Sequence, residues 1–137
     1  MAEPVLVALL FADRVIVEEH NKKKTIVGTF TRFYSGTFPV SFPLWYIYAA
    51  ATNLSGEHSF SLNLVLEKEM QVIVPINGKL KVENPRNVIE LIFPIGQAVF
   101  PAPGEYTLTF NIDGTQVGSR ILEVVQPEKG SRGETVQ

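Results

Sequence analysis

Cysteine is missing from all 137 positions. That excludes a disulfide framework, a thiol nucleophile, an iron–sulfur cluster and any cysteine-ligated zinc site. Histidine is scarce: His20 and His58 are the only two, whereas a hydrolytic metal centre needs three or more protein ligands. There is no Gly-x-Ser-x-Gly elbow, no phosphate-binding glycine loop and no dinucleotide fingerprint. Strong charge of either sign is also missing, with 12 Lys and Arg against 14 Asp and Glu. A nucleic-acid binder neutralises phosphates with a concentrated basic face. The densest basic run here, Lys22-Lys23-Lys24, follows Glu18 and Glu19 and reads as a solvated turn. No apolar stretch is long enough to cross a membrane. Val5–Phe11 soon meets Asp13 and Arg14, far short of the ~20 residues a spanning helix needs. Met1-Ala2-Glu3-Pro4 carries no basic region of the kind that opens a signal peptide. Asn53-Leu54-Ser55 therefore reads as a chance glycosylation sequon. These absences predict a cytoplasmic protein with no cofactor, no metal, no nucleic-acid partner and no membrane contact.

What the sequence does contain is a β pattern. Apolar residues make up 45 % of the chain, too many for a disordered segment, and one domain of this length can bury a core without metals or cross-links. Phe60, Leu62, Leu64 and Leu66 alternate with Ser59, Ser61, Asn63 and Val65. Tyr106, Leu108, Phe110 and Ile112 do the same between polar neighbours, which marks half-buried strands. Asn77-Gly78 and Asp113-Gly114 are read as hairpin turns. Pro75 points to an edge strand.

Val5–Phe11 and Val15–Val17 read as two strands around Ala12-Asp13, or as one strand with a bulge. Thr25–Tyr34 is expected to be one strand, with Val27, Thr29, Thr31 and Phe33 on one face and Ile26, Gly28, Phe30 and Arg32 on the other. Gly28 fits a place where a neighbouring aromatic ring packs closely. Leu44–Thr52 is apolar on both faces, as befits a central strand with something large on its outer side. Eight to ten short strands, with no room for helical crossovers, predict an all-β antiparallel sandwich rather than a barrel. Residues 1–125 form the single domain, and 126–137 a flexible tail.

Pro103-Gly104-Glu105-Tyr106-Thr107-Leu108, continuing through Asp113-Gly114 to Val124-Val125, resembles the closing hairpin of immunoglobulin-like sandwiches. More widely, Ala12-Asp13, Ile26-Val27-Gly28-Thr29-Phe30, Phe38-Pro39 with Phe42-Pro43, and Pro103-Gly104-Glu105-Tyr106 resemble a family of small bacterial β-sandwich proteins of unknown function. That resemblance implies a fold and no activity, so it transfers no catalytic residue.

The concentration of aromatics around residues 33–48 supplies the candidate interface: Tyr34, Phe38, Phe42, Tyr46 and Tyr48. Tyrosine and its aromatic kin bury much area for little lost rotamer entropy. The competing expectation is that the Ser35–Pro43 loop folds back as a cap. A non-catalytic protein-binding or scaffold module is the leading reading. Self-association into a homo-oligomer or larger particle is the alternative, resting on the apolar Val5–Phe11 run and the Leu44 strand. An enzyme using Asp13, His20 or His58 is third. Asp13 is expected in an Asx turn, Glu90 in solvent, and both histidines at the surface.

Overall fold

A computed structural model of the chain describes residues 3–128, and all regular structure in it is strand. The order is β1 (Val5–Val17), β2 (Lys24–Phe30), β3 (Arg32–Tyr34), β4 (Trp45–Thr52), β5 (Gly56–Leu66), β6 (Gln71–Val82), β7 (Ile89–Ile95), β8 (Gly104–Ile112) and β9 (Thr115–Val125). One sheet runs β2-β1-β4-β7 and the other β3-β9-β8-β5-β6. The pairings are antiparallel except β3 with β9, which is parallel. The expected all-antiparallel sheet is thus corrected to a mixed one at that edge. Residues 126–128 follow β9 without regular structure, and the rest of the expected tail, 129–137, lies outside the described residues.

The inner faces follow the alternation. Phe60, Leu62, Leu64 and Leu66 of β5 are buried against Tyr106, Leu108, Phe110 and Ile112 of β8. From the other sheet they meet Leu9 and Phe11 of β1 and Trp45, Ile47, Ala49 and Ala51 of β4. Asp113-Gly114 makes the predicted turn, with both residues at positive φ between the paired Ile112 and Thr115. Asn77-Gly78 does not. It lies inside a continuous β6 that pairs with β5 along its length. Gly78 is needed there because a Cβ would strike the Phe60 ring, 2.6 Å from Cζ. Pro75 does occupy an edge strand, since β6 ends its sheet.

Three other expectations change. β1 is a single strand; its register against β4 shifts between Leu6 and Ala8, whereas at Asp13 it only lacks a pair with Gly28 and keeps its register against β2. The strand expected over Thr25–Tyr34 breaks at Thr31 and crosses from the first sheet to the second. An unbroken strand would put Phe30 and Phe33 on opposite faces, but both rings belong to one cluster, 4.7 Å apart between centroids. At Gly28 the nearest neighbour is the Asp13 side chain rather than an aromatic ring. Its φ is +70°, and the Asp13 carboxylate fills the space where a Cβ would stand.

The first sheet is strongly curled. Lys24 begins the edge strand β2 and Glu90 lies on the opposite edge strand β7, yet Lys24 Nζ is 2.7 Å from Glu90 Oε1. Four flat strands would hold those edges ~14 Å apart. The register adds a further offset, because Lys24 pairs with Val17 while Glu90 lies across Ala50 from Ala8. Only a β1–β2 ribbon bent over the outer face of the sheet brings the two together.

Candidate functional site

The five aromatic candidates are not brought into one patch. Phe38 and Phe42 are half-buried against the core, and Phe42 stacks on Phe33 with centroids 4.0 Å apart. The loop carrying them is tied down by paired backbone bonds between Val40 and Phe100, so it caps one end of the sandwich. Tyr46 and Tyr48 sit on β4 away from the core, Tyr46 half-buried and Tyr48 only 7 % exposed. Tyr34 is the freely exposed member, at 42 %.

Beneath the bent ribbon Glu90 gathers two partners. Lys24 Nζ forms the ion pair, and the Tyr48 hydroxyl donates to Glu90 Oε2 at 2.5 Å. Burial and the bond to the carboxylate push the Tyr48 phenol up to about 12, so it is a fixed donor at neutral pH. Burial alone would raise Glu90, but the hydrogen bonds from Lys24 and Tyr48 and the Lys24 charge outweigh it and hold the carboxyl below its ordinary value. Neither the solvated reading of Glu90 nor that of Lys24 survives. Only Lys22 and Lys23 of the basic run stay exposed. No local pattern reveals this triad, because its members come from three strands.

At one end of the sandwich, His58 Nδ1 lies 2.6 Å from Asp113 Oδ2 and Nε2 lies 2.8 Å from the Ser55 carbonyl. An ionised Asp113 and the Ser55 carbonyl both only accept, so the ring satisfies both partners when it is protonated. The bond to Asp113, then that to Ser55, raises the His58 pKa. Asp113 is lowered by His58 first and by the Ser59 N–H second. A nucleophile's base needs a free nitrogen facing a hydroxyl, and here Nε2 is spent on a carbonyl. The pair borders a cleft of about 670 Å³ shared with Asn53, Pro85 and Val117. Asn53 turns its amide to the Glu3 carbonyl. His20 is exposed in the β1–β2 turn. Asp13 is exposed within β1 over Gly28, not in an Asx turn. Among the described residues no three His, Asp or Glu side chains gather as a metal site.

The outer face of the second sheet was not singled out by sequence. Three neighbouring rows cross it: Ile121, Thr107, Val65 and Val72; then Ser119, Thr109, Asn63 and Pro75; then Gln116, Asn111, Ser61 and Asn77. None of these residues is charged, although 19 % of the chain is. Ile121 and Val72 are 52 % and 50 % exposed. Charge returns at both ends of the face. Arg32 pairs with Glu123 beside Glu105 at one end, and Lys79 and Lys81 stand at the other. Tyr34, on β3 next to Val125, adds an aromatic ring at the Arg32 end. Period-two alternation could have found these residues one strand at a time, but only strand order assembles them.

Comparisons with known proteins add the fold and no activity. A family model described as a family of unknown function (DUF6941) matches residues 7–125. No curated protein matches the chain. Among solved structures, the chain is similar to an alkylpurine DNA glycosylase, AlkC, of Pseudomonas fluorescens, solved bound to DNA containing an abasic-site analogue. The TM-score is 0.52 at 10 % identity, and the match covers 90 % of this chain and 30 % of that one. This chain therefore spans less than a third of the glycosylase, and at that identity the likeness concerns fold alone.

Proposed function

The chain belongs to this family of unknown function (DUF6941), and from that premise we propose that it is a non-catalytic protein-binding or scaffold module of the cytoplasm. The observation that carries the reading is the uncharged outer face of the second sheet. Protein interfaces differ from ordinary surface chiefly in losing charge at their centre and keeping it at the rim. Serine, threonine and asparagine supply adaptable hydrogen bonds, while Ile121, Val72 and Tyr34 supply the apolar anchors. Four strand spacings by about six residues make a plane of roughly 400 Å². That is small beside the ~800 Å² per partner of a stable complex, so the contact is of the transient class. The face bears no Lys or Arg in its central rows, which favours a protein partner over nucleic acid.

The finer fold assignment belongs to the same reading. Tyr106, at the start of β8, donates its hydroxyl to the Ala102 carbonyl at 2.5 Å. A tyrosine bonding back to the chain a few residues upstream, at that corner, is a mark of immunoglobulin-like sandwiches. The neighbours β9-β8-β5-β6 correspond to the G-F-C-C′ order of such domains.

The test places a photo-crosslinking residue at Thr109 or at Lys22 in the full chain and follows adducts in cells. A discrete adduct from Thr109, absent from Lys22 and lost when Asn63→Arg puts a charge in the same row, supports the reading. Equal labelling from both positions, or an adduct indifferent to Asn63→Arg, defeats it.

A second reading, self-assembly, is favoured by one observation. Val5, Leu6 and Val7 are all exposed, and β2 pairs with β1 only from Phe11 onward. The apolar start of β1 is therefore not covered on both sides within one copy.

A further inference from the structure

Several features coincide where β1 leaves the body of the sandwich. Its pairing with β4 ends at Ala12, opposite Tyr46. Its ladder with β2 keeps its register from Ala12–Thr29 to Arg14–Val27 but leaves Asp13 and Gly28 unpaired between them. Gly28 is left-handed there, and the Asp13 side chain occupies the space above it. Beyond that point the two strands have only each other in the sheet, and a two-stranded ribbon is marginal by itself. The ribbon nonetheless bends across the sheet, and at its far end Lys24 meets Glu90 and Tyr48.

We propose that residues 13–28 form a hinged strap, latched over the outer face of the first sheet by Lys24, Glu90 and Tyr48, that opens as a unit while the sandwich stays folded. The hinge is the Asp13–Gly28 step, where the missing pair and the glycine let the ribbon swing without tearing the β1–β4 ladder. The latch centres on one carboxylate, which a cation from β2 and a phenol from β4 both face. Opening uncovers Tyr48 and Ala50, which are otherwise buried although they point away from the sandwich core. This explains how β4, an inner strand of a sheet only four strands wide, can be apolar on both faces.

Native-state hydrogen exchange on the full chain tests the strap. The amides of Val15–Val17 and Thr25–Val27 should exchange together and faster than those of Leu62–Leu64 and Leu108–Phe110. Glu90→Gln should speed the strap amides about tenfold, the scale of a lost charge-assisted hydrogen bond, and leave the sandwich amides unchanged. Lys24→Met, which keeps the stem and removes the charge, should do the same and provides the measurement if Glu90→Gln does not fold. Strap amides that exchange only at the rate of the sandwich, or variants that accelerate every amide equally, would overturn the proposal.

Discussion

His58 and Asp113 show how a residue's chemistry is set by what it faces. His58 stands between a carboxylate and a carbonyl, so its charged form is the one the fold selects. Its folded pKa is raised above 6.5. The stabilisation it contributes is complete below 6.5 and disappears as pH rises through the folded value. Asp113 is lowered from 3.8, so its share is complete above 3.8 and disappears as pH falls through the folded value. Both are at full strength between those limits. Asp113→Asn removes the main interaction that raises the His58 pKa. The ring-proton titration of His58, followed by NMR, should then move down toward 6.5, and an unmoved midpoint would contradict this account. Asp113 also receives the Ser59 N–H at 3.0 Å, a role beyond the turn that its Asp-Gly sequence announces.

At the scale of strands, β6 separates a local signal from its outcome. Asn-Gly favours a tight turn because glycine and asparagine tolerate positive φ. In β6 the same dipeptide is extended, and Gly78 answers a different need, the approach of Phe60. Asn77→Val distinguishes the two. In a turn a β-branched residue would be strained, whereas at an outward edge-strand position opposite Ser61 valine suits the pleat. The denaturant midpoint should therefore hold or rise, within ~0.5 kcal/mol, and a loss above ~1 kcal/mol would favour the turn. The break at Thr31 follows similar logic. Period two would have kept Phe30 and Phe33 apart, and the aromatic cluster around Trp45 draws both in.

For the whole molecule, assembly turns on the exposed Val5, Leu6 and Val7. If the transient docking face is the main surface, light scattering across a wide concentration range should return the 15.2 kDa monomer. A stable oligomer that Val7→Lys dissolves would instead favour the self-assembly reading. Sequence by itself determined the all-β class, the alternation of β5 and β8, the Asp113-Gly114 hairpin and the edge place of Pro75, because period-two burial and turn chemistry are local properties of the chain. It also marked β4 as apolar on both faces. Only the tertiary structure decided what covers the outer side of β4, that Lys24 reaches Glu90, that His58 faces Asp113, and that a dozen uncharged side chains share one surface. Each of those depends on strand order and sheet curl, which join residues distant in the chain. No periodicity within a single segment encodes which strand will lie beside it.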